Sequence, residues 1–476
     1  MSRFTNLTTR TNEFEENILE DMCVSDEDDS NGGEADSKDD SENNSEADED
    51  DSENNSEDDE DDSENNSESD SECDEDNSND DSERDSSPTL LPSSVSRCPW
   101  TVHFHPPPTQ QFQSSRKCSC VLPSSPIQTW KPPVPVPKWD PKVINATQPA
   151  PACSQPASPI TSIRTPNTMS EDCLYLNIFT PLSSNSLSTS LLPVMIFIHG
   201  GHFQFGDASQ SIYESGHLVN TTNIIIALIQ YRLGVFGFLA TGNGPNDLKG
   251  NYGILDQRLA IAWIKDNIDV FGGNPNEITL FGQSSGGQST ALHYVTSEMQ
   301  PFFQRAIIQS APMTIPFRTY SEYVIPGVLL AGQLHCTIGD VACFLTRSMD
   351  EIIAAQNAVN GMLTSLNFLL FFEPWLPVID NVIVHDQLLN MVHNTSFPLK
   401  PLIIGTVTDE CRDFIYRGWP HPISPSQYVE LGLLIFREKA YKILKQYPPD
   451  GEGDQRSLAA RSATHWVFAC STRVFA

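Results

Sequence analysis

Five residues carry the strongest chemical signal in the chain: Gly282-Gln283-Ser284-Ser285-Gly286, within ITLFGQSSGGQS. A serine hydroxyl is a weak nucleophile until neighbouring groups orient it and take its proton. A Gly-x-Ser-x-Gly run provides the orientation where a strand turns sharply into a helix, because the flanking glycines let backbone pass close by without side-chain clash. Apolar Ile278–Phe281 reads as such a strand, and Gln288–Thr296 as such a helix. The hydroxyl then stands at a helix N-terminus, whose N–H groups favour negative charge. Without that context the same five residues are only a glycine-rich turn.

A second motif, His199-Gly200-Gly201-His202, follows the apolar run PVMIF. Acyl transfer builds negative charge on a carbonyl oxygen, and about two fixed N–H donors stabilise it by roughly 3–4 kcal/mol each. A glycine-rich loop after an earlier strand supplies such donors, and the N–H of Ser285 supplies another. Neither His199 nor His202 is assigned as the base. In this arrangement the base follows the acid in chain order, so both read as loop histidines.

These motifs need a scaffold. Pro193–His199, Ile224–Tyr231, Ile278–Gly282, Arg305–Ser310 and Pro401–Gly405 are short and apolar throughout, as strands buried on both faces are. Tyr252–Phe271 places Leu255, Leu259, Ala262 and Trp263 at helical spacing, with Lys265 and Asp266 on the other face. Strands alternating with helices predict an α/β fold with a mostly parallel central sheet flanked by helices.

Charge divides the 476 residues into two polymers. Residues 26–85 hold 32 of the 63 acidic residues against two basic ones, Lys38 and Arg84, a net of −30. Residues 86–476 hold 26 acidic and 24 basic residues, a net of −2. The acidic block repeats DDSENNSE at Asp39, Asp50 and Asp61 and has almost no apolar residue. It therefore cannot offset the entropy of ordering and reads as a disordered tail. Ser45, Ser56 and Ser67 each have an acid three residues on, which also fits a docking or switch segment. Residues 86–127 are Ser- and Pro-rich and read as linker, giving residues 1–127 as tail and linker and 128–476 as the folded domain. A nucleic-acid reader is excluded, since phosphate binding needs clustered Lys and Arg. No apolar run approaches the 18 or so residues of a membrane-spanning helix.

At this point the residues resemble the type-B carboxylesterase/cholinesterase family of α/β-hydrolases. Ser170–Pro181 (SEDCLYLNIFTP), PVMIFIHGGHFQFG, Tyr231–Leu239 (YRLGVFGFL) and Gly250–Gly287 are each similar to family text. The resemblance implies an α/β-hydrolase fold and a serine ester hydrolase acting on a small-molecule ester by two-step acyl transfer. It implies Ser284 as nucleophile, Glu410 (in PLIIGTVTDE) as the acid orienting a catalytic histidine, and Gly201, His202 and Ser285 as oxyanion-hole donors. It also implies two disulfides, Cys153–Cys173 and Cys336–Cys343, and an Arg232–Asp256 ion pair bracing the site. No metal and no cofactor is expected, because serine acyl transfer needs neither.

The departures are specific. Gln283 replaces the family's usual Glu, His202 the third glycine of the oxyanion run, and Cys411 the glycine after the acid. Thr129-Trp130 stands where an Arg-Phe pair is usual, so Glu171 is expected to lack its arginine partner. The family's first strands have no counterpart before residue 128. HWVFACSTRVFA resembles text well before the family's catalytic histidine, and neither His421 nor His465 stands in a matching context. The expectation is a truncated esterase domain, impaired as written. The alternative is a non-catalytic cholinesterase-like adhesion or interaction protein, and a third reading is an acidic tail that binds a basic partner. The family points to the secretory pathway, where the sequons at Asn145, Asn220 and Asn394 would be usable, yet the N-terminus shows no signal peptide.

Overall fold

A computed structural model describes residues 115–121, 129–135, 146, 148–158, 163–182, 190–364 and 373–476. The acidic repeats and most of the Ser- and Pro-rich stretch lie outside the described residues.

Seven strands form one sheet: β1 (Ser115–Val121), β2 (Tyr175–Pro181), β3 (Leu192–Ile198), β4 (Ile225–Ile229), β5 (Gly273–Gln283), β6 (Arg305–Gln309) and β7 (Leu402–Gly405). Their spatial order is β1-β2-β4-β3-β5-β6-β7. β2 runs antiparallel to both its neighbours, and every pairing from β4 to β7 is parallel. The sheet is therefore mixed and mostly parallel, as expected. β1 lies inside the stretch read as linker, so backbone pairing to the sheet starts before residue 128.

Period-2 alternation builds two core faces from one run of residues. In β4, Ile225, Ala227 and Ile229 join the larger core cluster, while Ile226 and Leu228 join a second cluster with Phe179, Phe197 and Val219. All five residues are buried, as a central strand covered on both faces requires. The same expectation fails for β6 and β7. Arg305 and Gln309 are exposed, and Ile403 is 67% exposed, because these strands lie towards the end of the sheet.

The helices that concern the site are α1 (Tyr252–Asn267), α2 (Ser285–Tyr294), α3 (Met349–Thr364), α4 (Arg412–Gly418) and α5 (Arg456–Thr464). α1 departs from the expected amphipathic pattern. Its polar residues Asp256, Gln257, Arg258 and Asn267 are buried along with its apolar ones. Two of them meet partners far away in sequence: Asp256 takes Arg232, and the Gln257 amide donates to Ser289 Oγ at 3.0 Å. Both expected disulfides are present, with Cα–Cα separations of 4.8 Å for Cys153–Cys173 and 5.8 Å for Cys336–Cys343. Cross-links closing loops of this size contribute on the order of 3 kcal/mol. Cys411 is a free, buried thiol, and burial pushes it up to about 12.

Candidate active site

Ser284 sits between the end of β5 and the start of α2, with φ 58° and ψ −126°. That conformation is costly for a residue with a Cβ, on the order of 1–3 kcal/mol. The turn is held by Ser284 N donating to Gln309 O at 2.9 Å and Gln288 N donating to Ser284 O at 2.9 Å. The glycines explain how it closes. A Cβ on Gly282 would lie 2.2 Å from Gly286 O, and one on Gly286 would lie 2.0 Å from Ile198 O. Side chains at either position would force the strand and helix apart.

The second motif arrives from β3. A Cβ on Gly200 would lie 2.5 Å from Gln283 O and 3.0 Å from the Ser284 Cβ, so the loop backbone lies directly against the serine. The loop then passes through three residues of positive φ: Gly201 (121°), His202 (57°) and Phe203 (57°). Gln204 N and Phe205 N both donate to Gly201 O, at 2.9 and 3.0 Å. His202 accepts the left-handed conformation expected of a glycine, and its ring packs against Phe205 and Phe414. Ser285, the third expected donor, opens α2, where a first-turn N–H has no partner inside the helix.

His199 serves the scaffold. Its Nδ1 lies 2.9 Å from Gly200 O, and its ring stacks on Tyr231 at 4.6 Å. Tyr231 in turn donates its hydroxyl to His199 O at 2.8 Å. Burial holds the imidazole below the usual histidine range, against the pull of the Gly200 carbonyl and Asp207. A neutral ring with its proton on Nδ1 follows.

The residue expected to be the acid is placed separately. Glu410 follows β7, is half-buried, and accepts Val407 N at Oε1, 3.0 Å away. Among the described residues no histidine hydrogen-bonds to it. The next residue, Cys411, donates its N–H to Thr464 Oγ1 at 3.0 Å, which docks the start of α4 onto α5. His465 directly follows Thr464, but its Nδ1 meets the Tyr447 hydroxyl at 2.6 Å.

The expected brace is present. Arg232 contacts both Asp256 oxygens, through Nη2 at 2.7 Å and Nε at 2.8 Å, with the side chains 4% and 0% exposed. Its Nη1 also donates to Lys131 O at 2.8 Å. Glu171 does not go without a partner, since the Thr129 hydroxyl donates to it.

Several groups around the serine carry no sequence signal. Behind it, α2 is polar but buried: Ser289 Oγ donates to Ser285 O at 3.0 Å, and His293 Nε2 meets Gln257 Oε1 at 2.9 Å. Burial and the nearby Arg258 charge hold His293 well below its ordinary value, hence neutral. Glu373 is fully buried beside the Gln288 amide, and burial outweighs the Arg318 charge to push it up to about 8. Gln155 reaches Gly206 of the glycine loop, and Gln356 and Asn360 reach its Gln204, from elements distant in sequence. Only the fold brings Gln257, Glu373 and Gln155 into this region, and no local motif marks them.

Residues 124–466 match the sequence profile of the Carboxylesterase family. The chain is 35% identical over 308 residues to the crystal protein of Dictyostelium discoideum, covering 64% of this chain and 54% of that protein. It is 34% identical over 345 residues to the cAMP-regulated D2 protein of the same organism, covering 72% and 63%. It is 36% identical over 301 residues to the acetylcholinesterase of Bungarus fasciatus, covering 60% and 48%. The chain spans about half the length of the curated relatives it matches.

Proposed function

The chain belongs to the carboxylesterase family, and from that premise we propose that Ser284 is the nucleophile of a serine ester hydrolase site acting on a small-molecule carboxylic ester. The observation that carries this is the strained turn at Ser284, fitted between Gly282 and Gly286 and lying against Gly200. In the reaction Ser284 Oγ attacks the ester carbonyl and the alcohol departs. Water then hydrolyses the acyl-enzyme. The N–H groups of Gly201, His202 and Ser285 stabilise the oxyanion in both steps. Glu410 orients the imidazolium that forms when a histidine takes the serine proton.

That histidine is not assigned to a residue of this chain. His199 is a buried support for the loop, and His465 is bonded to Tyr447. Without a base the rate falls by on the order of 10⁴–10⁶. The similarity to the crystal protein of Dictyostelium discoideum supports a second reading, in which the domain is a non-catalytic interaction module that keeps the hydrolase scaffold.

A fluorophosphonate probe separates the two, because it reports serine nucleophilicity directly. Labelling mapped to Ser284 and abolished in Ser284→Ala supports the hydrolase site. A folded full-length chain that never labels supports the interaction module.

A further inference from the structure

We propose that Gln204 is a positioning residue for the oxyanion loop, holding it in its strained course through a buried relay of amides anchored on α3. The functional half of this inference rests on the reading of Ser284 as nucleophile.

The loop has something to be held against. His202 and Phe203 are consecutive non-glycine residues at φ 57°, each on the order of 1–3 kcal/mol above an ordinary conformation. The hydrogen bonds inside the turn, from Gln204 N and Phe205 N to Gly201 O, fix its shape but tie it to nothing outside. One external tie runs through the Gln204 side chain. Its Oε1 accepts from Asn360 Nδ2 at 2.8 Å and from Gln356 Nε2 at 3.3 Å. Each of those amides is held in turn. Gln356 Oε1 accepts Val235 N at 2.9 Å, and Asn360 Oδ1 accepts Trp375 Nε1 at 2.9 Å. Gln204, Gln356 and Trp375 are 4%, 1% and 0% exposed, so water does not compete well for these bonds.

The backbone is shaped around the same relay. Gly234 has φ 52°, and a Cβ there would lie 2.4 Å from Gln356 Oε1. The Gly234 N–H donates to Phe203 O at 2.6 Å, so Gln356 packs against the residue that tethers the loop backbone. The far end of the loop has a matching strut: Gly206 N donates to Gln155 Oε1 at 2.7 Å, and Gln155 Nε2 donates to Gly206 O at 2.8 Å. Gln155 lies two residues from the Cys153–Cys173 disulfide. The oxyanion loop is thus held at two points, Gln204 and Gly206, through buried glutamine side chains.

The test uses full-length Gln204→Met, Asn360→Leu and Gln204→Glu. Amide hydrogen exchange over residues 200–206 and fluorophosphonate labelling kinetics are the readouts. Methionine keeps the volume of Gln204 but offers no acceptor to Asn360 and Gln356. Exchange at 200–206 is expected to quicken at least about tenfold in Gln204→Met and Asn360→Leu, with Thr279–Gly282 of β5 unchanged. Glutamate keeps an oxygen acceptor and is expected to restore slow exchange. Where the wild type labels, the maximal labelling rate falls about tenfold while probe affinity stays within about twofold. Unchanged loop exchange, or exchange that quickens equally in β5, overturns the clamp. A loosened loop with an unchanged labelling rate overturns the positioning role. If the wild type does not label at all, the nucleophile reading fails, and the exchange result still decides whether the clamp exists.

Discussion

The Tyr447 hydroxyl lies 2.6 Å from His465 Nδ1, which commits to a tyrosine the histidine that follows Thr464, the residue bonded to Cys411 N. Partial burial, with Arg461 and Arg473 nearby, holds His465 below its ordinary value. A depressed histidine contributes stability that is present above the unfolded value near 6.5 and lost as pH falls through the folded one. Tyr447→Phe is expected to cost about 1 kcal/mol in urea unfolding at pH 7 and to leave Ser284 labelling unchanged. A labelling rate that collapses in this variant would make His465 part of the chemistry after all.

Ser284 stores strain, and strain makes a prediction of opposite sign to the usual one. Replacing it by glycine, which adopts positive φ freely, should raise unfolding stability by on the order of 1 kcal/mol while abolishing labelling. A glycine variant less stable than wild type would show that the turn is relaxed in solution.

Gly200→Ala probes the contact between loop and serine. The new Cβ meets Gln283 O at 2.5 Å and the Ser284 Cβ at 3.0 Å, and the first of these is backbone that cannot rotate aside. The expected cost is about 1–3 kcal/mol, with reduced labelling of Ser284. A thermal melt and a labelling time course that both match wild type would be incompatible with this packing.

Glu373 predicts an alkaline weakness. Its folded value of about 8 lies above the ordinary 4.5, so between these values the folded state binds more protons than the unfolded one. Stability is fully present below about 4.5 and declines as pH rises towards 8, by on the order of a few kcal/mol. Glu373→Gln should flatten that decline. Denaturant midpoints measured from pH 5 to 9 check it, and an unaltered slope in the variant would assign the pH dependence elsewhere.

Arg232 and Asp256 form a bidentate pair almost fully removed from water. Removing one partner leaves an uncompensated buried charge, and Arg232→Met alone should cost about 3–5 kcal/mol. The double variant Arg232→Met/Asp256→Leu should cost less than the single one. Unfolding free energies that simply add across the pair would deny the coupling.

Much of the scaffold was readable from residue order because its causes are local. β4 shows as an unbroken apolar run, and Gly-x-Ser-x-Gly marks the turn because only glycine tolerates backbone approaching to 2.0–2.2 Å of where a Cβ would stand. The readings that failed had non-local causes. Arg305–Gln309 and Leu402–Gly405 looked as central as β4, yet their place towards the end of the sheet leaves residues exposed. α1 looked amphipathic, but Asp256 and Gln257 are buried because Arg232 and Ser289 meet them from other elements.

The sequence by itself determined the strands β3 to β7, the strained serine turn, the glycine loop and the family, because each depends on residues within a few positions of one another. Tertiary structure alone decided what surrounds the serine. The Gln204–Asn360 bond spans 156 residues, the Gln204–Gln356 bond spans 152, and Glu373 acquires its raised affinity for a proton only through burial. A hydrogen bond or a desolvated carboxyl depends on distance in space, and folding sets that distance between residues whose order along the chain does not mark them as neighbours.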